Sequence, residues 1–450
     1  MTLPRYQELR DSGIDYLGTV PNAWSLKRLG DIVAFAQGKA HEPYIDDDGD
    51  YICVNSRFVS TAGKTFKNCT VNLTPASLKD ILMVMSDLPN GRALARAYYV
   101  RENGKYAVNQ RVCRITAEKA ESGFLFYLLD RHPGLMKNDD GVHQTHLSND
   151  DFLKLKIYLP SLSEQTQIAR FLDHETARID ALIEEQQRLI ELLKEKRQAV
   201  ISHAVTKGLD PTAPMKDSGV EWLGEVPAHW IISQLKFNTT EMQTGPFGSQ
   251  LHAEDYVDGG IPLINPAHMV DGRIIPDLQV SVDEETWSRL SRHALKAGEI
   301  IFARRGELGR CAVVSKEQEG WLCGTGSLKA SLNSRLSSEY AYLLVTSKGV
   351  VSELSLESKG STMENLNTET LGRVRLPLPP LSEQEAILEH VHEIAGQFAA
   401  LINEAEDGIK LITERRSALI SAAVTGKIDV RGWQPPVSTQ APESAVAEAN

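Results

Sequence analysis

Two stretches of the chain repeat apolar side chains at alternating spacings of four and three residues. The first repeat is formed by Ile168, Leu172, Glu175, Ile179, Leu182, Gln186, Leu189, Leu193 and Lys196. The second is formed by Ile387, Val391, Ile394, Phe398, Leu401, Ala405, Gly408, Ile412 and Arg415. This spacing over about four heptads predicts a coiled-coil seam on two long helices. Ser163 and Ser382, each close after a proline, are predicted to cap the N-termini of these helices.

Each predicted helix has about 40–44 residues, or roughly 60–65 Å at 1.5 Å per residue. A helix of that length cannot bury its apolar stripe within one compact domain, whereas two such helices can bury their stripes against each other. Because a globular region separates the helices along the chain, we expect them to run antiparallel. Two alternatives stay open: each helix folds back on its own domain, or the stripes pair between two chains.

The regions outside the helices alternate short apolar runs with Gly, Pro and Asn turns, which predicts mixed α/β domains. The predicted strands in the first region are 50–54, 81–85, 97–100 and 111–115. Those in the second region are 261–264, 300–303 and 311–314. Short helices are predicted at 121–130 and 338–347.

The chain is an internal duplication. The peptide DSGIDYLGTVPNAW at 11–24 returns as DSGVEWLGEVPAHW at 217–230, and LPSLSEQ at 159–165 returns as LPPLSEQ at 378–384. AVTKGLD at 204–210 is likewise echoed by AVTGKID at 423–429. A period of more than 200 residues is too long for a solenoid repeat, whose units have roughly 20–50 residues. Two copies of one binding unit favour a target with two halves.

We therefore predict an α+β fold with two globular mixed α/β domains, separated by two long antiparallel helices that form a coiled coil, and with internal pseudo-two-fold symmetry. The predicted domains are 1–158 and 211–377, and the predicted helical segments are 159–210 and 378–430. Residues 431–450 are rich in Pro, Ala and Ser and are predicted to be disordered.

Composition is that of a globular protein, with 42% hydrophobic and 24% charged residues. The chain has no apolar run near the roughly 18 residues that a membrane span needs, so no membrane association is expected. Its 5 cysteines lack CxxC or zinc-finger spacing, which favours reduced thiols and a cytoplasmic location.

The net charge of −12 is unfavourable for nucleic-acid binding. The distribution changes this picture, because residues 25–158 carry 18 basic and 16 acidic side chains. Residues 88–114 contain a single acidic residue, Glu102, and six basic ones: Arg92, Arg96, Arg101, Lys105, Arg111 and Arg114. This local basic cluster is compatible with a phosphate-binding face and equally with a solvated strand surface.

Catalytic motifs are missing. A DNA methyltransferase would need a Gly-rich adenosylmethionine loop and a catalytic turn with two prolines and an aromatic residue, and the sequence contains neither. Residues 62–65 (AGKT) match the end of a phosphate loop, but Phe58 stands where its first glycine belongs. We therefore expect a protein without catalytic residues of its own.

The repeated peptides resemble those of the specificity subunits of type I restriction–modification systems. In that family, segments like 11–24 and 217–230 flank the target-recognition domains, and blocks like 159–207 and 378–427 are the helical spacers. The resemblance extends from about residue 5 to 430 and includes the duplication.

The resemblance implies a function. Each globular domain would read one half of a split target in double-stranded DNA, and the antiparallel helices would set the gap and dock two methyltransferase (modification) subunits. Restriction subunits would join as ATP-driven translocases. It also implies that this chain binds no cofactor, and that S-adenosylmethionine, ATP and Mg belong to the partner subunits.

Candidate base-reading residues lie in loops between predicted strands, because Arg pairs with guanine and Asn or Gln with adenine in the major groove. In the first domain the candidates are Asn55, Arg57, Arg92, Arg96, Asn109, Gln110, Arg111, His143, Gln144 and His146. In the second they are Gln250, Asn265, His268, Arg304, Arg305, Arg310, Ser361 and Asn365.

Alignment of the two copies pairs Asn55 with Asn265, Arg96 with Arg310, His146 with Asn365 and Ser86 with Arg304. Matched residues are expected to be structural or to bind phosphate, and unmatched ones to carry specificity.

The main rival hypothesis is a non-catalytic coiled-coil adaptor whose globular lobes bind other proteins.

Overall fold

A computed structural model describes residues 4–86, 93–137, 139, 143, 145–306, 308–358 and 366–436 of the chain. It divides into two compact units, one of residues 1–187 and 407–450 and the other of residues 188–406. The division falls within both long helices, Leu162–Lys207 and Leu381–Val424. Outside these helices, we call residues 4–161 the first lobe and residues 208–380 the second lobe.

The first lobe combines short strands and helices. Its strands are β1 (Leu9–Asp11), β2 (Thr19–Pro21), β3 (Ser25–Arg28), β4 (Val33–Gln37), β5 (Tyr51–Val54), β6 (Lys67–Cys69), β7 (Ile81–Val84), β8 (Ala97–Tyr99), β9 (Tyr106–Val108), β10 (Val112–Ala117) and β11 (Lys156–Leu159). Its helices are α1 (Ser56–Ser60), α2 (Ser122–Leu129), α3 (Pro133–Met136) and α4 (Asn149–Leu153), and α5 (Leu162–Lys207) follows.

The second lobe has the same kinds of element. Its strands are β12 (Met215–Asp217), β13 (Glu225–Pro227), β14 (Ile231–Gln234), β15 (Thr239–Thr244), β16 (Tyr256–Val257), β17 (Ile261–Ile264), β18 (Met269–Val270), β19 (Arg273–Ile274), β20 (Ser281–Val282), β21 (Ile300–Ala303), β22 (Cys311–Val313), β23 (Leu322–Cys323), β24 (Ser327–Leu332) and β25 (Arg375–Leu378). Its helices are α6 (Glu284–Leu290), α7 (Ser338–Val345), α8 (Lys348–Ser358) and α9 (Thr368–Arg373), and α10 (Leu381–Val424) follows.

The two lobes share one topology. An antiparallel sheet of order β4-β10-β7-β8 in the first corresponds to β15-β24-β21-β22 in the second. A second sheet in each lobe contains one parallel pair, β5 with β9 in the order β6-β5-β9 and β17 with β23 in the order β16-β20-β17-β23. All residues of β7 and β21 are buried, which explains why these strands are continuous apolar runs. The predicted strands and short helices are therefore confirmed, and the duplication of sequence is a duplication of fold.

Within each unit the long helices run antiparallel. In the first unit, Asp180 of α5 accepts two hydrogen bonds from Arg416 of α10, at 2.8 and 3.2 Å, while Leu172 packs in one cluster with Ala423. In the second unit, Val205 of α5 shares a cluster with Ile387 of α10. Because early residues of one helix meet late residues of the other, the antiparallel arrangement is confirmed within both units.

Only some of the residues predicted for the coiled-coil seam of α5 are buried. Leu172 and Ile179 are buried as predicted, but Leu182 and Leu189 are 40% and 42% exposed. Ile190, one residue after Leu189, is buried instead, and on α10 the buried residue is Ile402 while Leu401 is 49% exposed. Neighbouring leucine and isoleucine satisfy the heptad spacing equally, so periodicity alone could not choose between them.

The predicted N-caps are also displaced. Helix α5 begins one residue before Ser163, and Ser161 Oγ accepts a hydrogen bond from the amide of Glu164 at 3.3 Å. In α10 the carbonyl of Pro380 accepts from the amide of Gln384 at 3.0 Å, and Ser382 lies inside the first turn.

A buried glutamine joins each lobe to the start of a long helix. Gln384 is fully buried, and its Nε2 donates to the carbonyls of Arg335 and Pro379 at 2.8 and 3.0 Å. Its Oε1 accepts from the amide of Ser337, the N-cap of α7, at 3.0 Å. Gln165 makes the equivalent bonds in the first lobe, to the carbonyl of Pro160 at 2.9 Å and from the amide of Glu121, the N-cap of α2, at 2.8 Å.

A tryptophan of each repeated peptide packs at the same junction. Trp24 is 1% exposed and donates from Nε1 to Glu164 of α5 at 3.1 Å. A side chain at Gly426, just after α10, would lie 3.3 Å from the Trp24 ring. Trp230 is likewise buried, and a side chain at Gly208, just after α5, would lie 3.2 Å from its ring.

A polar network recurs in both lobes. In the second, Lys329 and Glu299 are 3% exposed and lie 3.5 Å apart, and Ser331 donates to Glu299 at 2.5 Å. Lys329 also donates to the carbonyl of Ala294 at 2.7 Å. The first lobe has the same arrangement in other residue types, with Arg114 Nε 3.9 Å from Asp80, Arg114 donating to the carbonyl of Pro75, and Thr116 donating to Asp80 at 2.5 Å.

The segment after α10 folds back onto α5. Trp433 stacks edge-to-face on Phe171 at 5.3 Å, and Gln167 Nε2 donates to the carbonyl of Val430 at 3.2 Å. The disorder predicted from residue 431 onward therefore does not describe 431–436, and residues 437–450 lie outside the described part of the chain. No helix among the described residues is long and apolar enough to cross a membrane.

Replacing Lys329 by Met should lower the free energy of unfolding of the second unit by about 3–5 kcal/mol, because Glu299 would stay buried without its counter-charge. Lys316→Met, at an exposed position, is the control and should change it by less than about 0.5 kcal/mol. Urea denaturation followed by tryptophan fluorescence measures both. Adding Glu299→Gln to Lys329→Met should recover part of the loss, and equal losses at 316 and 329 would contradict the assignment.

Gln384→Leu should cost about 1–3 kcal/mol, because it leaves the amide of Ser337 and two carbonyls buried without partners. The matched control is Gln397→Leu on the exposed face of the same helix. Thermal unfolding of the two variants should separate them clearly, and identical melting temperatures would rule out the proposed role of the carboxamide.

Candidate nucleic-acid interface

The candidate residues gather where the parallel strands end. In the first lobe β5 and β9 finish side by side, and the amide of Asn109 donates to the carbonyl of Val54 at 3.1 Å. In the second, the amide of Gly324 donates to the carbonyl of Ile264 at 2.9 Å. Asn55 and Asn265, which follow β5 and β17, therefore occupy equivalent positions.

The ends of β7 and β21 lie at the same place. The amide of Met85 donates to the carbonyl of Arg111 at 2.9 Å, and His146 forms a β-bridge with Ser86. We define the first strand-end surface by Asn55, Ser86, Arg96, 109–111 and His146. In the second lobe the amide of Arg304 donates to the carbonyl of Gly326 at 2.8 Å. The second strand-end surface comprises Asn265, Arg304, Arg305, Arg310 and 324–326.

Backbone hydrogen bonds test the alignment of the two copies. The amide of Val84 donates to the carbonyl of Arg96 at 3.0 Å, and that of Ala303 to the carbonyl of Arg310 at 2.8 Å. The pairing of Arg96 with Arg310 is thus confirmed. Val84 pairs with Val112 and Ala303 with Ser327, the residues that follow the equivalent turns, so Val84 and Ala303 are equivalent. Ser86 therefore corresponds to Arg305, and its predicted alignment with Arg304 was wrong by one residue. Asn365, the predicted counterpart of His146, lies outside the described residues.

Two predicted readers have structural duties. Asn55 caps α1, where its Oδ1 accepts from the amide of Phe58 at 2.9 Å. Asn109 is 6% exposed, and its Oδ1 accepts from the amide of His41 at 3.1 Å while its Nδ2 donates to Glu42 at 2.9 Å. The Asn109 hydrogen bond lowers the pKa of Glu42 below its ordinary value. Neither carboxamide therefore points freely toward solvent.

The residues next to Asn109 are exposed. Gln110 and Arg111 form the turn between β9 and β10, and both side chains face solvent. The amide of Gln110 donates to Asn109 Oδ1 at 2.9 Å, so the buried asparagine holds the turn that presents them. Gln110 Nε2 lies 3.5 Å from Glu42, a long contact that leaves the carboxamide available.

The remaining first-lobe candidates differ in exposure and in partners. Arg57, His143 and His146 are exposed, and Arg96 lies 3.8 Å from the carboxylate of Asp130. Arg92 and Gln144 lie outside the described residues.

The predicted basic cluster is partly neutralised. Arg114 belongs to the Asp80 network, and Lys105 lies 3.1 Å from Glu102. Arg96 has Asp130 as its partner, whereas Arg111 has no ion pair with any described residue. Three of the six cluster residues, Arg96, Lys105 and Arg114, thus have acidic partners.

In the second lobe several candidates support the backbone. Gln250 Oε1 accepts from the amide of Phe247 at 3.2 Å, and Asn265 Oδ1 accepts from that of Gly326 at 3.4 Å. His268 is 8% exposed, and its Nδ1 accepts from the amide of Asn265 at 3.2 Å. Three of the predicted readers are thus structural.

Two arginines of the second lobe also bond backbone carbonyls. Arg304 Nε donates to the carbonyl of Leu366 at 3.2 Å, and burial, followed by the charge of Arg305, lowers the Arg304 pKa. Arg310 donates to the carbonyl of Pro266 at 3.4 Å. Arg305 is exposed, and Ser361 and Asn365 lie outside the described residues. Within the described residues, no cluster of His, Cys, Asp or Glu could hold a metal ion.

Sequence reasoning missed one residue of this region. Phe247 is 61% exposed and follows β15, whose end lies against the turn at 324–326. The signal was the local sequence Gly-Pro-Phe-Gly at 245–248, a turn that holds an aromatic residue between two glycines. A search restricted to polar and basic readers could not select it.

Asn109→Ala should lower the free energy of unfolding of the first unit by about 1–3 kcal/mol, because the amide of His41 would lose its acceptor. Gln110→Ala, one residue away but exposed, should change it by less than about 0.5 kcal/mol. Urea titrations of the two variants provide the comparison. A larger loss of unfolding free energy for Gln110→Ala than for Asn109→Ala would show that Asn109 does not hold this turn.

The match to a known protein family occurs twice along the chain, once in each copy of the duplication. Residues 21–193 and 242–411 match the family model described as type I restriction modification DNA specificity domain. A similar protein is the type I restriction enzyme MjaVIII specificity subunit of Methanocaldococcus jannaschii, 23% identical over 92% of this chain and 94% of that one. The EcoDI specificity subunit of Escherichia coli is 21% identical over 93% of this chain and 91% of its own length.

Solved structures agree in fold. One chain, from a structure of complex assembly and conformational transition of the type I R-M system, has a TM-score of 0.64 at 16% identity, and covers 91% of this chain and 99% of that one. The HsdS subunit from Thermoanaerobacter tengcongensis has a TM-score of 0.51 at 17% identity over 91% of this chain and 98% of its own.

Proposed function

The chain belongs to the type I restriction–modification DNA specificity family, and we propose that each of its lobes reads one half of a split target in double-stranded DNA. As a specificity subunit it is the DNA-recognition part of its complex, and the enzymatic activity resides in the partner subunits. The proposal concerns how this chain carries out that recognition.

The main support for two different half-sites is that the two lobes have the same scaffold but different side chains at equivalent positions. The turn 109–111 of the first lobe is Asn-Gln-Arg, whereas the equivalent turn 324–326 of the second is Gly-Thr-Gly. Both turns are closed by the same bond, from the amide of Val112 to the carbonyl of Asn109 and from the amide of Ser327 to that of Gly324. Two surfaces of identical construction and different chemistry suit two different half-sites.

In the first lobe we assign base readout to Gln110 and Arg111. A carboxamide matches the N6 and N7 edge of adenine, and a guanidinium matches O6 and N7 of guanine. Both side chains are exposed on a turn held by buried Asn109. In the second lobe the equivalent turn carries Thr325 and Gly326, so we assign this role to Arg304 and Arg305, which follow β21 beside that turn.

The long helices set the gap between half-sites and dock two methyltransferase subunits. Helices α5 and α10 have 46 and 44 residues, or roughly 65–70 Å each. Leucines that the antiparallel packing leaves 40–66% exposed supply apolar contact area for protein partners: Leu182, Leu189, Leu192, Leu401 and Leu411. Domain boundaries at 158, 210, 377 and 430 separate readers from spacers.

The remaining components come from the partners. Restriction subunits join as translocases, and S-adenosylmethionine, ATP and Mg are held by the partner subunits in the cytoplasm. The net charge of −12 supports partner-supplied phosphate contacts, since affinity for the DNA backbone rises with the number of Lys and Arg contacts. This chain then contributes mainly base contacts.

The test is co-expression with the neighbouring methyltransferase subunit and genome-wide mapping of methylated bases. A motif of two short half-sites around a fixed gap is the expected result. A complex that methylates one continuous motif would overturn the two-lobe assignment. Failure to assemble any complex would favour the protein-binding adaptor.

Gln110→Ala and Arg111→Ala should each relax discrimination at one base pair of one half-site by about 1–3 kcal/mol, or roughly 5–150-fold. The other half-site should be unchanged. Lys154→Ala, an exposed residue paired with Asp150 of its own helix turn, is the control and should leave the motif intact. Methylation rates on a panel of single-base-substituted targets measure the effect, and uniform losses across all targets would mean that these side chains contact only phosphate.

A further inference from the structure

The second lobe exposes two phenylalanines at opposite ends of one strand. Phe247 follows the C-terminal end of β15 and is 61% exposed, while Phe237 precedes its N-terminal end and is 59% exposed. Exposed apolar side chains are common singly on protein surfaces. What distinguishes Phe247 is its location beside the second strand-end surface and the construction of its loop.

The loop holds Phe247 outward. Gly245 lies so close to the carbonyl of Gly324 that no Cβ fits between them, and its amide donates to the carbonyl of Ser327 at 3.0 Å. Pro246 is buried and fixes its own φ. The amide of Phe247 donates to Gln250 Oε1 at 3.2 Å, and the amide of Gln250 donates back to the carbonyl of Phe247 at 3.3 Å. The ring is thus presented on a braced turn.

The base of this loop is anchored as well. Arg289 donates to the carbonyl of Gln250 at 2.6 Å and to Asp255 at 2.6 Å. These bonds join the loop to helix α6, on which Arg289 lies. A ring on so constrained a backbone loses little conformational freedom when it meets a ligand.

At the position equivalent to Phe247 the first lobe has no aromatic residue. Gly38 makes the bond equivalent to that of Gly245, from its amide to the carbonyl of Val112 at 2.9 Å, and it too has no room for a Cβ beside Asn109. Counting from these glycines, Ala40 stands where the second lobe has Phe247. The first lobe instead has the side chains of Gln110 and Arg111, where the second has Thr325 and Gly326. The aromatic therefore appears in the lobe whose turn lacks long polar side chains.

We propose that Phe247 stacks on a nucleobase, or enters a base step, of the half-site that the second lobe reads. The proposal rests on the proposed function and adds a recognition residue to it. Apolar side chains that enter base steps unstack them locally and bend the duplex, and in single strands an aromatic ring provides about 1–3 kcal/mol per stacked base. Arg304 and Arg305 on the same surface supply charge complementary to DNA.

The experiment uses the complex of the full chain with its methyltransferase subunit and a duplex that carries the methylated motif. Fluorescence anisotropy gives the affinity, and 2-aminopurine placed along the second half-site reports stacking. Phe247→Ala should weaken binding roughly 5–150-fold and abolish the 2-aminopurine signal at one position. Phe247→Trp should retain both, whereas Phe247→Leu should lose the stacking signal.

Phe237→Ala is the matched control, because it removes a ring of equal exposure from the other end of β15, and it should bind like the wild type. Wild-type affinity and stacking for Phe247→Ala would overturn the inference while leaving the split-site function intact. Loss of co-purification with the methyltransferase subunit would also overturn it, since Phe247 would then contact protein. A wild-type complex without preference for the split site would overturn the proposed function as well.

Discussion

The arrangement of lobes and helices depends on one buried carboxamide per unit. Gln165 and Gln384 each bond a carbonyl just before the long helix and the N-cap amide of a lobe helix. A carboxamide joins these two backbone sites inside the buried junction because it carries a donor and an acceptor on one short, planar group. A carboxylate would lack the donor, and an apolar residue would leave backbone groups unpaired at substantial cost. In each unit the carboxamide therefore fastens the start of the long helix to a helix of the lobe.

The recurrent polar network shows how a duplicated fold keeps its geometry while its sequence diverges. Lys329, Glu299 and Ser331 in one lobe correspond to Arg114, Asp80 and Thr116 in the other, and the bonds join the same strand positions. None of the three residues is identical between the copies. A longer acid opposite a shorter base spans nearly the same gap as a shorter acid opposite a longer base. What is retained is the sum of side-chain lengths and the pairing of charges, because an unpaired buried charge is strongly destabilising. Identity-based alignment of the copies overlooks such conservation.

The sequence predicts where helices and strands lie better than which of their residues are buried. Apolar runs such as 81–85 and 300–303 are unambiguous, because strands buried on both faces tolerate few polar residues. The seam of α5 was half right, since Leu189 and Ile190 satisfy the same spacing and only packing against a partner selects Ile190. Asn55 and Asn109 looked like readers because Asn suits adenine, yet the same carboxamide suits helix caps and turns equally well. Burial decides between these uses, and a single sequence does not contain it.

In both lobes the residues that hold the structure together are separate from the exposed residues of the strand-end turns. The junction of each lobe uses Trp24, Glu164 and Gly426, or Trp230, Glu383 and Gly208, and the strand-end turns use buried groups such as Asn109. The exposed residues of those turns share no hydrogen bond with the junction. Gln110 and Arg111 can therefore differ from Thr325 and Gly326 without disturbing the helices, and the copies can diverge in what they bind while the spacing stays constant. Divergence at exposed turns can consequently change the surface chemistry of each lobe without altering its junction with the helices.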